Sequence, residues 1–164
     1  MVADGDAAAP DPLLFPAQDC FEPARTVEPP RGWQVTPLYD PFEAFLGPMF
    51  FRTDEAGLEL ALRIDDRHCV DGLAAPGLMM TFADATLGWA VWRASLPDDT
   101  VTISQRSDFL DTVHQGDLIV CSPRLLRKTR EIVFVQGFAL DHRAHGAVEQ
   151  ENALVQRVTK TFDA

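Results

Sequence analysis

One stretch of this chain limits the fold more than any other. From Pro76 to Trp92 the only charge is Asp84, and Leu78, Met79, Phe82, Leu87, Trp89, Ala90 and Trp92 spread around the whole circumference of a helix. A helix that is apolar on nearly every side has to be surrounded by protein. The pattern predicts one helix over 76–94, with Pro76 at its first position, where the absent N–H is no loss. The stretch is too short, and interrupted by Asp84, to serve as a membrane span.

The segments on either side change period. Asp40-Pro41-Phe42-Glu43 carries a cap, a first-turn proline and a capping-box glutamate, and Gly47-Pro48 stops that helix after little more than a turn. Met49 to Thr53 reads as a strand. Leu58, Leu60, Leu62 and Ile64 alternate with Glu59, Ala61 and Arg63 as a second. After the breaker Leu96-Pro97-Asp98-Asp99, four further strands are predicted: Thr100 to Leu110, Asp117 to Arg127, Glu131 to Asp141 and Val148 to Phe162. Gln115-Gly116, Lys128-Thr129 and His142 to Gly146 supply the turns between them. Short connections favour antiparallel pairing. An antiparallel sheet and one all-apolar helix are best satisfied together if the sheet curls around the helix. The expected class is therefore α+β in the hotdog arrangement, with about six strands, one central helix and a short N-terminal helix. Open strand edges would be natural places for a second copy to pair.

Eight of the twelve prolines fall in the first 41 residues. Residues 1–38 therefore read as a proline-rich, partly ordered extension, which Trp33 and Tyr39 could pin, and 39–164 as the folded domain. The N-terminus lacks the basic and apolar regions of a signal peptide, so a cytoplasmic protein is expected. A formal charge of −11 disfavours nucleic acid and anionic membranes as partners. The three cysteines and four histidines show no metal-ligand spacing and no disulfide framework. No metal and no cofactor are expected.

Three stretches stand out: Phe42 to Arg52 (FEAFLGPMFFR); Arg67-His68-Cys69 with Gly77 to Asp84 (GLMMTFAD) and Gly88-Trp89; and Asp108-Phe109-Leu110 with Gly116-Asp117, followed by Arg127-Lys128-Thr129-Arg130 and Phe134-Val135-Gln136-Gly137. Together they resemble the phenylacetic-acid-pathway-type thioesterases of the hotdog acyl-CoA thioesterase superfamily. The resemblance spans about Phe42 to Phe162. It implies that Asp84 is the catalytic carboxylate, general base or nucleophile toward a thioester carbonyl. The bare chemistry agrees, since a carboxylate inside an apolar helix costs several kcal/mol unless paired or protonated, and burial would raise its pKa. The alternative without catalysis is a carboxylate at the helix–sheet seam, bound to a hydroxyl or a backbone N–H.

The chain also departs from the family pattern. Ala75-Pro76-Gly77 stands where those proteins carry His-Gly-Gly, so Ala75 positions nothing and Pro76 has no N–H for a developing oxyanion. Gly77 N–H, at the positive end of the helix, is left as the donor. The preceding loop, Val70 to Ala74, looks one residue short; Asp71 is its nearest polar candidate for a substrate contact, although an anion there would repel an oxyanion. The resemblance also makes Thr102 a candidate to orient water, while threonine is in any case a common strand residue. Arg127, Lys128 and Arg130, with Arg124, form a basic cluster that suits the phosphates of coenzyme A or is simply a solvated turn. His68 could line the pocket or lie at the surface. His114, His142 and His145 read as exposed turn residues.

Three functions follow as expectations. The first is hydrolysis of an acyl-CoA or similar thioester by a homodimer or dimer of dimers, weak because of the altered loop, with coenzyme A as part of the substrate. The second is a binding protein that holds acyl-CoA or another apolar ligand without turning it over. The third is a hotdog dehydratase or hydratase, which Ala75 disfavours because such enzymes lean on a histidine near the acid.

Overall fold

Local chemistry fixes where the elements begin. The computed structural model of the protein describes residues 27–37, 40–55, 57–94, 101–129, 132–142 and 153–163. The first elements are β1 (Gln34–Val35), α1 (Pro41–Leu46), β2 (Met49–Asp54) and β3 (Gly57–Arg63). The Asp40 carboxylate caps α1 by accepting from Phe42 N–H at 2.6 Å and Glu43 N–H at 3.3 Å, and Gly47 ends it. A 3-10 turn (Asp66–His68) leads to β4 (Cys69–Val70) and β5 (Leu73–Ala74), then to α2 (Pro76–Arg93). The chain finishes with β6 (Val101–Phe109), β7 (Leu118–Lys128), β8 (Ile132–His142) and β9 (Ala153–Asp163).

Seven strands form one antiparallel sheet in the order β1-β2-β3-β7-β8-β9-β6. β4 and β5 pair with each other as a separate hairpin. β6 follows α2 in sequence yet occupies the sheet edge, with β9 as its neighbour in the ladder. α2 lies across one face. Its Met79, Phe82, Ala85 and Trp89 pack with Leu60, Leu62, Ile119 and Cys121, and its Ala83, Leu87 and Val91 pack with Val133 and Val135. Phe82, Leu87 and Val91 are wholly buried, and each is worth about 1.5–3 kcal/mol in apolar burial. Phe51 stacks on Trp89 with centroids 6.1 Å apart.

The strand alternation decides which residues meet the helix. On β8, Val133, Val135 and Ala139 are buried while Phe134 and Phe138 stand on the other face. That outer face is partly covered too. Trp33 packs with Phe50, Ala61, Val120 and Val27, and the Arg52 guanidinium lies 4.6 Å from its ring centroid. β1 continues this segment into the sheet, so residues 27–37 are tied to the domain. Tyr39, the other expected anchor, lies outside the described residues, as do positions 148–152 of the last predicted strand and most of the His142 to Gly146 turn.

The six strands and two helices expected from the pattern are present. β1 and the β4–β5 hairpin were not expected. One expectation is corrected: α2 is not enclosed on all sides by the described residues of its own chain. Gly77, Met80 and Asp84 are exposed and Gly88 is half-buried, so positions spaced three or four apart form one open stripe. The sheet supplies cover from one side only, and β6 ends the sheet before it can wrap further.

Candidate active site

The start of α2 is held by a hairpin that the sequence encodes in two residues. Asp71 and Gly72 both have positive φ, 52° and 79°, which is the two-residue turn that Asp-Gly favours between strands. The hairpin is tied down by Ala74 N–H to Val113 O at 2.8 Å, Ala75 N–H to His68 O at 2.9 Å and Gln115 N–H to Gly72 O at 3.0 Å. The segment read as a shortened loop is therefore a complete hairpin, and the turn itself accounts for Asp71. Asp-Gly was the signal that could have revealed it.

Ala75 occupies the N-cap without any side-chain cap, and its carbonyl accepts from Leu78 N–H at 3.0 Å. Pro76 has no N–H. Gly77 N–H therefore stands exposed at the helix start, with no acceptor among the described residues. A Cβ built on Gly77 would meet nothing within 4 Å, so packing inside this chain does not demand glycine there. Beside this helix start lies a cleft of about 370 Å³. Its walls are Val70, Leu73, Pro76, Met79 and Phe109, together with Ala75, and among the described residues Asp111 is the one ionisable side chain in its lining. Sequence reasoning missed this cleft because its walls come from residues 70 to 113, brought together only by the fold.

Asp84 sits two turns further along the same open stripe. It is exposed, so the burial expected for its carboxylate does not exist in a single chain. β6 runs antiparallel to α2 along this side. Phe109 reaches the cleft at the helix start, and Gln105 Nε2 donates to Met80 O at 2.9 Å. Thr102 reaches the helix-facing side through a bulge. The ladder steps from Ser104 opposite Thr161 to Thr102 opposite Phe162, with Ile103 as the extra residue. Phe162 in turn pairs with Val133, which is buried against α2. Cross-strand partners share a face, so the bulge turns Thr102 toward the helix side. It is exposed there because β6 is the edge. On the same face Gln105 Oε1 and Ser107 Oγ are buried without a hydrogen-bond partner among the described residues.

His68 belongs elsewhere. It is buried at 6% exposure; its Nδ1 accepts from Asp65 N–H at 3.0 Å and its Nε2 lies 2.8 Å from Leu46 O. Since Nδ1 accepts, Nε2 carries the proton and donates. Both nitrogens are used in fastening the 3-10 turn to the end of α1, which leaves none for a substrate and corrects the reading of His68 as a pocket or surface residue. Beside it, burial pushes the Asp65 carboxyl up, but the hydrogen bonds and charge of Arg67 together with the adjacent His68 hold it below its ordinary value. Cys121 is equally unavailable: burial in the core pushes its thiol up to about 12. Arg124, Arg127 and Lys128 are exposed at the far end of β7, and Arg130 lies outside the described residues. His114 is exposed, its Nδ1 3.8 Å from Asp117. The side chains of His142 and His145 are outside the described set. Among the described residues no group of three or more His, Cys, Asp or Glu could hold a metal ion, and no helix is long and apolar enough to cross a membrane.

Comparison with known proteins places these features in a family. The thioesterase superfamily pattern matches residues 71–141, which run from the hairpin turn through α2 to the end of β8. A Pseudomonas aeruginosa protein that bears the name "Putative esterase PA0474" is 35% identical over 108 residues, 64% of this chain and 81% of that protein. Among solved structures, a mutant of the phenylacetic acid degradation protein PaaI from Thermus thermophilus aligns with a TM-score of 0.60 at 19% identity, over 76% of this chain and 98% of that one. A hypothetical thioesterase protein of Streptococcus pneumoniae, solved with coenzyme A, aligns with a TM-score of 0.60 at 17% identity, over 70% and 84%. The architecture is the hotdog fold, and the chain belongs to the thioesterase superfamily.

Proposed function

We propose that the protein hydrolyses an acyl-CoA or a closely related thioester, and that two copies of the chain make each site. The observation that carries this reading is the open stripe of α2, which presents Gly77 N–H and the Asp84 carboxylate beside an apolar cleft. The seven residue steps from Gly77 to Asp84 span about 10 Å of helix rise. Hydrogen-bond reach is about 3 Å. One thioester carbonyl therefore cannot be served by both groups of the same helix. Two copies related by a two-fold axis, with their helices antiparallel, bring Asp84 of one to Gly77 of the other.

In that arrangement Asp84 takes a proton from water, which attacks the carbonyl carbon. Gly77 N–H stabilises the oxyanion of the tetrahedral intermediate. The C–S bond then breaks, and the departing thiolate recovers the proton from Asp84. Thr102, aimed by its bulge, orients the water. The basic residues fit the same geometry. Lys128 pairs with Val133 at one end of the sheet, level with Thr102, whereas Phe109 is level with Cys121. The seven residue steps from Cys121 to Lys128 cover roughly 23 Å of strand. Antiparallel pairing at β6 would set the Lys128 end of one copy beside the cleft of the other, where Arg127 and Lys128 meet the coenzyme A phosphates.

Pro76 favours a second reading, a binder with little or no turnover, because it removes a donor beside the reacting carbonyl. A free-thiol release assay over a panel of acyl-CoAs separates the two. The wild type is expected to be slow but measurable, and Asp84→Asn should lower turnover by about a hundredfold or more. An Asp84→Asn variant with wild-type turnover, or a wild type that binds acyl-CoA and releases no thiol, would overturn the hydrolytic reading.

A further inference from the structure

We propose that the cleft at the start of α2 is the acyl-selecting pocket, opened by the small side chain of Ala75, and that it takes an uncharged, apolar acyl group of about eight to ten carbon atoms. This rests on the thioesterase reading. The size follows from the cleft's volume of about 370 Å³. A cavity of about 150 Å³ already accommodates benzene, so this one holds a chain or substituted ring roughly twice as large. The character follows from the walls. Val70, Leu73, Pro76, Met79 and Phe109 offer a long acyl group only apolar contact. The carboxylate present, Asp111, holds its own neighbour's N–H, Thr112, at 2.7 Å and opposes any anionic tail.

Ala75 controls the volume. It stands at the N-cap in extended backbone, φ −64° and ψ 134°, a conformation open to any side chain, and it is only half-buried. A larger residue there would project among the cleft walls without disturbing the backbone bonds that hold the hairpin. Pro76 closes the same wall one residue before the exposed Gly77 N–H, so a carbonyl held by that donor has its acyl chain at the mouth of the cleft. The departure that weakens the oxyanion site thus also makes room for a larger acyl group.

The test is kcat/KM for acetyl-, butyryl-, hexanoyl-, octanoyl- and dodecanoyl-CoA and for the eight-carbon ω-carboxyl analogue of octanoyl-CoA, using the full chain and its Ala75→Leu and Phe109→Ala variants. In the wild type kcat/KM should climb by about fourfold per buried methylene up to octanoyl and then level off. The ω-carboxyl analogue should be at least about tenfold poorer than octanoyl-CoA. Ala75→Leu should reduce the octanoyl-to-acetyl ratio by about tenfold or more, and Phe109→Ala should move the plateau toward dodecanoyl. A wild-type profile flat with chain length, or a ratio untouched by both substitutions, would overturn the assignment even though turnover persisted. If no thioester is cleaved, the hydrolytic reading fails instead, and calorimetry decides the pocket. Octanoyl-CoA binding about tenfold or more tighter than coenzyme A, with the gain abolished by Ala75→Leu, would uphold it. Equal affinities would overturn it.

Discussion

Pro76 removes one backbone N–H at the point where α2 begins, and Gly77 is left as the exposed donor. Restoring the missing group should therefore raise catalysis. Pro76→Gly is expected to increase turnover about tenfold or more, equivalent to about 1.4 kcal/mol of transition-state stabilisation. The same change loosens the helix start and should lower stability by about 1 kcal/mol. Steady-state turnover and a urea midpoint, measured on the same preparations, check both halves. Residues of this kind were legible in the sequence because each breaks a local rule: a lone carboxylate in an apolar helix, a proline where a donor is wanted. Thr102 was legible as a candidate but its orientation was not, since that depends on one extra residue in a ladder with β9. His68 was misjudged for a related reason. Its partners are a backbone amide three residues back and a carbonyl 22 residues away, and no periodicity reports either one.

Among the elements, the short ones between β3 and α2 position the site although they carry none of its chemistry. The 3-10 turn is closed by a reciprocal capping box between Asp65 and His68 and is tied to α1 through Leu46 O, which also accepts from Arg67 at 3.3 Å. His68→Ala would leave Asp65 N–H without its acceptor and Leu46 O with Arg67 in place of two donors, and would open a cavity. A loss of about 2–4 kcal/mol is expected, read as a lower urea midpoint with an unchanged slope. The folded fraction should retain the wild-type acyl-chain profile, because the imidazole does not face the cleft. The long elements were readable from their periods of two and near four. β1, β4 and β5 were not, since a strand of two residues has no period to detect, and only the Asp-Gly dipeptide could have revealed the last two.

Across the whole molecule, the unfinished features share one side. β6 is unpaired on its outer edge among the described residues, Val101 and Ile103 are exposed on it at 65% and 57%, and the open stripe of α2 lies along the same flank. Long exposed edges invite pairing, and a lysine on the edge is a common way to block it. Light scattering should give twice the 18.2 kDa chain mass for the wild type at micromolar concentration. Ile103→Lys should give the single-chain mass, with helical circular dichroism retained and thioesterase turnover reduced by about a hundredfold. A monomeric wild type would remove the shared site from consideration. The sequence foretold an open edge in general terms. Which strand would occupy it was not legible, because that depends on the order of pairing between segments far apart in the chain.

That strand order also has a consequence for how the protein is made. β6 leaves the ribosome soon after α2, but β9, its neighbour in the ladder, emerges only after β7 and β8. Meanwhile β3 and β7 can already pair, and α2 can settle on them. Nascent chains fold as their parts become available, so the strand bearing Thr102 waits unpaired until the rest of the sheet is in place. A stall or frameshift after β8 would leave β6 without β9, its partner in the ladder. Such a product would expose unpaired edges on β6 and β8, where other chains could pair.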